Sequence, residues 1–457
     1  MGEQERRGVS LGTVFMLLLT LVVLSACGIV MPQLMGNVNI RMDEGAMRSS
    51  TNLNEALPEL VMSDIPLTDP NAASYLPVAT EVPLPTEAPV APAAATAAPV
   101  TAPAEQPVSA SVVLTFGGSI NVDDYIRKSG FYSDTDKYDY TETLALIAGE
   151  LDSDLTMVTL ETITDPAGNV RTIPNAPVEV MGMLSAANVD MVALGYNRAF
   201  ERGMEGAAST IAQANANGLT TLGLYDSQED ANQFRIMDVN GVQVAYLHYT
   251  TGITTTAKRR LNSDNAAYAL PMVSVNDGVE DIASDIRAVR AMGAQVVVVS
   301  INWSGQDTIT TTTTKMKNFM QGLADAGADI IIGAGTKTVK EVSWIVGKRE
   351  DGSAHQTLCA WSLGSLLNGE RNNGNVAGML LHVQLSVSGS NVNFELVSYT
   401  PTYIWRYKQD EYYRYRLVES DQPAPNGMDD TQASYSVRAY ETLKKSLGNS
   451  PITVRTK

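Results

Sequence analysis

Residues 111–457 predict an α/β fold, and three observations carry that expectation. Short β-branched apolar runs alternate with stretches of helical periodicity. Glycines stop the helical stretches, at Gly218, Gly293 and Gly327. The run over 295–301 is apolar on both faces, as a strand in the middle of a covered sheet must be.

Taken in order, residues 112–116 form the first apolar run and 142–151 a helical stretch. Strands follow at 155–160 and 191–194, the second leading into a helix over 204–217. Strands at 220–225 and 243–249 complete the first half. The clearest helix spans 277–292. Asp277 and Glu280 make a start resembling a capping box, and Ile282, Ile286 and Val289 share one face. It feeds the central strand, and the unit repeats as a helix over 315–326 and a strand over 329–332. Further on, Met379, Leu381, Val383 and Leu385 alternate with Leu380, His382, Gln384 and Ser386, the pattern of a half-exposed strand. Residues 391–399 are expected to pair with it across Ser388, Gly389 and Ser390, and a last helix is expected over 431–447. In sheets of this kind the working residues lie in loops at the carboxyl ends of the strands.

The first quarter of the chain reads differently. No charge occurs between Arg7 and Arg41, and 9–30 is almost wholly apolar, long enough to cross a bilayer. Arg6 and Arg7 precede it, which places the short N-terminus in the cytoplasm and the rest outside. A lipoprotein signal is the other reading, since Leu24-Ser25-Ala26-Cys27-Gly28 resembles a lipobox with Cys27 as the acylated residue. Against it, the apolar run continues through Ile29, Val30 and Met31. Either way the bulk of the chain is expected outside the cell, tethered to the membrane. Residues 70–107 are dense in Pro, Ala and Thr and read as an extended, disordered linker. The expected organisation is an anchor or lipoprotein signal over 1–35, a juxtamembrane segment and linker over 36–110, the α/β domain over 111–405, and a C-terminal extension with a helix over 406–457.

A net charge of −18 argues against nucleic acid as a partner, because a phosphate backbone demands clustered Lys and Arg. It argues equally against simple electrostatic capture of a polyanion, and its plain reading is solubility. With Cys359 the one cysteine besides Cys27, the outer domain has no internal disulfide.

Several segments, in order, resemble landmarks of the bacterial capsule-synthesis (CapA, poly-γ-glutamate synthesis) family, a relative of the calcineurin-like metallophosphoesterases. Residues 113–120, V-L-T-F-G-G-S-I, resemble its first strand and G-D-x-M loop, with Gly118 where the family has a metal-binding Asp. Thr159-Leu160-Glu161 resembles N-L-E. Residues 193–203, A-L-G-Y-N-R-A-F-E-R-G, resemble L-A-N-N-H-A-x-D-Y-G, keeping Asn197 but placing Arg198 where the His belongs. Residues 299–306, V-S-I-N-W-S-G-Q, resemble V-S-x-H-W-G-x-E, with Asn302 at the His position. Residues 327–342 resemble G-A-D-x-I-x-G-H-H-P-H, with Gly333-Ala334-Gly335-Thr336-Lys337 in place of the histidine run. Trp361-Ser362-Leu363-Gly364-Ser365 resembles a late Y-S-L-G-N strand and turn. The resemblance implies a four-layer, metallophosphatase-like (calcineurin-like) sandwich with a degenerate centre. It implies a non-catalytic role in capsule or poly-γ-glutamate assembly or export, with a cell-envelope polymer or capsule-synthesis membrane proteins as partners. The alternative is a metal-dependent hydrolase, phosphoesterase-like, acting on a cell-surface polymer.

The cleft candidates are Glu161, Asn197, Arg198, Asn302, Gln306 and Lys337, with Asp123 or Asp124 nearby. One carboxylate among neutral amides is a poor zinc or manganese site, since it lacks imidazole and thiolate. No cofactor is expected beyond a weak site for a hard cation such as calcium. Arg198 and Lys337 would bring fixed positive charge to former ligand positions, facing Glu161, or else pair with Glu161 and neighbouring acids. His248, His355 and His382 lie outside every landmark, His355 in a loop before the strand that holds Cys359, and structural or solvated roles are expected for them. Ser362 lacks the G-x-S-x-G elbow of a hydrolase nucleophile. The segment over 403–415, rich in Tyr, Trp and Arg, reads as an aromatic edge closing the domain or as a surface on which a sugar ring stacks.

Overall fold

The computed structural model describes residues 109–166, 175–303, 313–349, 352–371, 374–409 and 411–456. The expected anchor, the linker, Gln306 and most of the run of threonines over 308–314 fall outside that set. Among the described residues no helix is long and apolar enough to cross a membrane.

The chain opens with strand β1 (Ala110–Ile120), helix α1 (Asp124–Ser129), a small ribbon of β2 (Phe131–Tyr132) and β3 (Lys137–Tyr138), and two short helices, α2 (Thr141–Leu144) and α3 (Ala148–Leu151). There follow β4 (Leu155–Leu160), α4 (Glu179–Ala186), β5 (Met191–Ala193), α5 (Gly203–Ala216) and β6 (Thr220–Leu222). The second half begins with α6 (Gln228–Ala231), β7 (Arg235–Val239), β8 (Val242–Thr250) and α7 (Thr255–Ser263). It continues with α8 (Glu280–Ala291), β9 (Val296–Asn302), α9 (Thr314–Asp325), β10 (Ile330–Ala334), β11 (Val342–Lys348) and β12 (Ala354–Ala360). The closing elements are β13 (Ser365–Leu367), β14 (Ala377–Ser388), β15 (Asn391–Gln409), β16 (Tyr412–Glu419), α10 (Asp430–Leu447) and β17 (Thr453–Val454).

Two large sheets result. One runs β16-β15-β14-β1-β4-β5-β6, with β13 on β1 and β17 on β15; the other runs β11-β12-β10-β9-β8-β7. Strand parity explains why they stack. Leu114 and Phe116 of β1 meet Val244, Val298, Ile330 and Leu358 from the other sheet in one apolar cluster. The intervening residues of β9, Val297, Val299 and Ile301, face away and pack against Ile286 and Val289 of α8 and Phe319 and Leu323 of α9. On the far side of the first sheet, Val158, Leu160 and Val192 pack with Val180 and Leu184 of α4 and Ile211 of α5. Three apolar clusters thus divide a helix–sheet–sheet–helix sandwich, as period-two burial on both faces of a sheet requires.

Three local expectations need correction. Helix α8 begins at Glu280 rather than 277, and its N-cap, Val279, makes no side-chain bond. Gly278 has φ +88°, a left-handed turn that separates Asp277 from the helix, and Glu280 instead pairs with Arg287 at 2.7 Å. His355 lies within β12 and is buried, not in a loop. The alternate face of β14 is covered at Leu380 and His382, so that strand is half-exposed only from Gln384 on.

Burial of two histidines gives a testable pH dependence. His248 bonds Ser300 Oγ (3.0 Å) and the Gly195 carbonyl (2.7 Å), and burial pushes it down to about 4. His382 lies between Thr115 Oγ1 (3.0 Å) and Thr400 Oγ1 (2.9 Å), and burial, with Arg455 beside it, pushes it down to about 3. Unfolded, each takes up a proton near 6.5, so below that pH the unfolded chain binds more protons than the folded one. The stabilisation is complete above pH 6.5 and is lost as pH falls toward 4, by about 1.4 kcal/mol for each pH unit separating the two states. Denaturant melts should show a plateau above pH 7, a decline below 6, and a shallower decline for His382→Gln. An unchanged decline in that variant would assign the acid sensitivity elsewhere.

Candidate functional site

The carboxyl ends of strands from both sheets converge on Glu161. It follows β4, and its backbone N–H donates to the Ile120 carbonyl at 2.8 Å, fixing the side chain beside the end of β1. Glu161 Oε1 accepts from Ser119 Oγ (3.0 Å) and from Asn302 Nδ2 (2.9 Å). Ser119 lies at the end of β1 in one sheet and Asn302 ends β9 in the other, so a single carboxylate oxygen ties the two sheets together. Gly335, just past β10, donates its N–H to Ser119 Oγ at 3.2 Å.

Asn302 is buried, and its orientation follows from its partner. A carboxylate only accepts, so the amide presents its NH₂ to Glu161. Its carbonyl oxygen faces Gly335, where a Cβ would come within 2.6 Å of it. Gly335 has φ +85°, so the residue that stands in a histidine position leaves both its backbone conformation and its free space to the Asn302 carbonyl.

Of the sequence candidates, the structure brings Glu161 and Asn302 into direct contact. Arg198 pairs with Glu201 instead (Nη2–Oε2 2.8 Å), a buried carboxylate that also accepts from Thr254 Oγ1 at 2.8 Å. Lys337 pairs with Glu370 (2.7 Å). Asn197 contributes its backbone carbonyl to the Thr254 N–H (2.9 Å), and Gln306 lies outside the described residues. Asp123 is the N-cap of α1, accepting from Tyr125, Ile126 and Gly369 N–H groups at 2.9, 3.0 and 2.8 Å. Burial raises its pKa and the three N–H groups oppose the rise. Asp124 pairs with Arg127 at the surface (3.2 Å).

Ser119 is not among the sequence candidates, which place Gly118 at the ligand position. A Cβ on Gly118 would lie 2.2 Å from the Gly364 carbonyl oxygen, so that residue faces the backbone of the next segment. Ser119 points at Glu161. Alternation along β1 carries the signal, since Leu114 and Phe116 fix which positions face the inter-sheet core, but a bulge between Phe116 and Ser119 breaks the count.

Among the described residues the donor set does not fit the two-metal centre of a phosphoesterase, which takes several carboxylates and imidazoles for its two ions. Among the described residues no three His, Cys, Asp or Glu side chains gather in a way that could hold a metal. Glu161 Oε1 is engaged by a hydroxyl and an amide, and His248 is turned to Ser300 and Gly195.

The fold and site define a two-sheet α/β sandwich with a polar cluster where the parallel strands of both sheets end. The chain belongs to the family of the bacterial capsule synthesis protein PGA_cap, whose model matches residues 113–370. No curated protein matches it. Among solved structures it is similar to a hypothetical protein from Thermus thermophilus, at 14% identity over 63% of this chain and 98% of that one, TM-score 0.35. It is also similar to the calcineurin-like phosphoesterase YfkN from Bacillus subtilis, at 12% identity over 74% and 99%, TM-score 0.37. A phosphatase from Mycoplasma pneumoniae matches at 12% identity over 64% and 94%, TM-score 0.36. Likenesses so remote carry no further argument.

Proposed function

We propose that this protein is a non-catalytic member of the capsule-synthesis family, a metallophosphatase-like scaffold acting in the assembly or export of capsule or poly-γ-glutamate. It does so by binding the polymer or a capsule-synthesis membrane protein. The observation that supports this most is the engagement of Glu161 Oε1 by Ser119 and Asn302. A carboxylate oxygen that accepts from two neutral donors is a hydrogen-bonded strut between sheets, and a cation on that oxygen would compete with both donors. The apolar run over 9–30 supports a tether that holds the domain outside the cell.

Two measurements test the two parts. Elemental analysis of the purified chain after dialysis should find no stoichiometric manganese, zinc or iron, and phosphodiesters should not turn over. A retained divalent ion with turnover would establish the metal-dependent hydrolase instead. For the tether, mass spectrometry of the membrane form should find the N-terminus intact. A mature chain beginning at diacylated Cys27 would mean a lipoprotein.

A further inference from the structure

A cavity of about 440 Å³ opens between the later part of β15, the segment around Arg371 and the side of α10 that carries Tyr435, Arg438, Ala439 and Thr442. Its lining includes Arg371, Tyr403, Arg406, Tyr435, Arg438 and Thr442. Three guanidinium groups in one cavity are unexpected in a chain of net charge −18. Among the described residues, none of the three forms an ion pair. The acids beside them in sequence are engaged elsewhere, Glu370 with Lys337 (2.7 Å) and Glu441 with Lys444 (2.6 Å).

The arginines are held by other means. Arg371 donates through Nη1 to the Ile404 carbonyl and through Nη2 to Tyr403 Oη, both at 3.0 Å. Tyr403 in turn donates to Gln432 Oε1 at 2.9 Å. Arg406 lies over the ring of Tyr413, and Arg438 over that of Tyr435, each 4.5 Å from the ring centre. Aromatic faces and carbonyls orient a guanidinium without neutralising it, leaving most of its five N–H groups to be matched by something else. Like charges kept together repel, and an oxyanion relieves that repulsion while meeting the planar donors two at a time. The volume is that of a small-molecule site, room for one or two acidic groups.

We propose that this cavity is a binding site for an oxyanion-bearing ligand, carboxylate or phosphate, gripped by Arg371, Arg406 and Arg438. It lies beyond the residues 113–370 that match the family, and it is separate from the Glu161 cluster. It therefore stands or falls independently of the proposed role.

Calorimetric titration of the full chain with citrate, inorganic phosphate and maltotriose tests it. Citrate or phosphate should bind, more weakly as salt is raised, and maltotriose should not. Tighter binding of citrate would assign the site to carboxylates, and tighter binding of phosphate to phosphates. The double variant Arg406→Gln/Arg438→Gln should bind about tenfold more weakly or worse, with an unchanged thermal midpoint. Arg438 is exposed on α10, so Arg438→Gln alone keeps the fold and should still weaken binding severalfold. Failure of both anions to bind, equal affinity in the variants, or binding of maltotriose alone would overturn the proposal.

Discussion

Asp329→Ala is expected to lower stability by about 3–5 kcal/mol, the cost of breaking a buried ion pair from one side. Asp329 is only 1% exposed at its side chain, and its Oδ2 accepts from Arg290 Nη2 at 2.6 Å and from the buried Val297 N–H at 2.7 Å. Arg290 comes from the last turn of α8 and also donates to the carbonyls of Ala294, Gln295 and Gly327. One carboxylate thus joins the end of α8 to the starts of β9 and β10. Removing it strands a backbone donor as well as a cation. Arg290→Ala should cost less, because Arg290 is partly exposed and the carboxylate would keep the Val297 N–H. Urea denaturation with an unchanged slope would measure both, and a loss under about 1 kcal/mol for Asp329→Ala would mean that solvent screens the pair.

Gly118→Asp, which would restore the acidic residue of the family landmark, should unfold the domain rather than build a metal ligand. Even the Cβ of Gly118→Ala would sit 2.2 Å from the Gly364 carbonyl oxygen and 3.1 Å from that of Leu363. Those obstacles are backbone, pinned by the Ser119 N–H bond to Gly364 O at 2.9 Å. Relief requires β1 and the segment before β13 to part, at a cost of about 3 kcal/mol or more. Ser119→Ala, one residue on, removes only the hydroxyl bridging Glu161 and Gly335 and should cost about 1–2 kcal/mol. If thermal melts place the two alanine variants together, the close packing around Gly118 is looser than the contact distances require.

That contrast shows what sequence pattern conveys and what it does not. Strands β4 and β9 and helix α10 were legible within a residue or two, because each buries a long, regular apolar face. Glu161 and Asn302 were legible as members of one cleft, because their strands end in landmark motifs, but their direct contact is seen only in the fold. Ser119 was not legible, because one bulge in β1 shifts the facing residue by one position and no periodicity records it. Spacing leaves Arg198 and Lys337 either facing Glu161 as substitutes for ligands or pairing with Glu161 and neighbouring acids. The structure pairs them with Glu201 and Glu370, and long side chains settle on whichever acid is nearest, which spacing along the chain does not reveal. The arginine cavity was hidden for a related reason. Its members come from 371, 403–406 and 435–438, and only the fold gathers them.

The position of β1 has a consequence in time. It is the first strand among the described residues, yet it lies in the middle of its sheet, with β4 on one side and β14 on the other; Val112 pairs with Leu385 and Phe116 with Leu381. One edge of an apolar strand therefore stays open until nearly the whole domain has been synthesised. Such long-range pairing makes folding slow and leaves a sticky edge exposed meanwhile. Truncation anywhere before β14 should therefore yield chains that sediment as aggregates rather than a smaller folded domain.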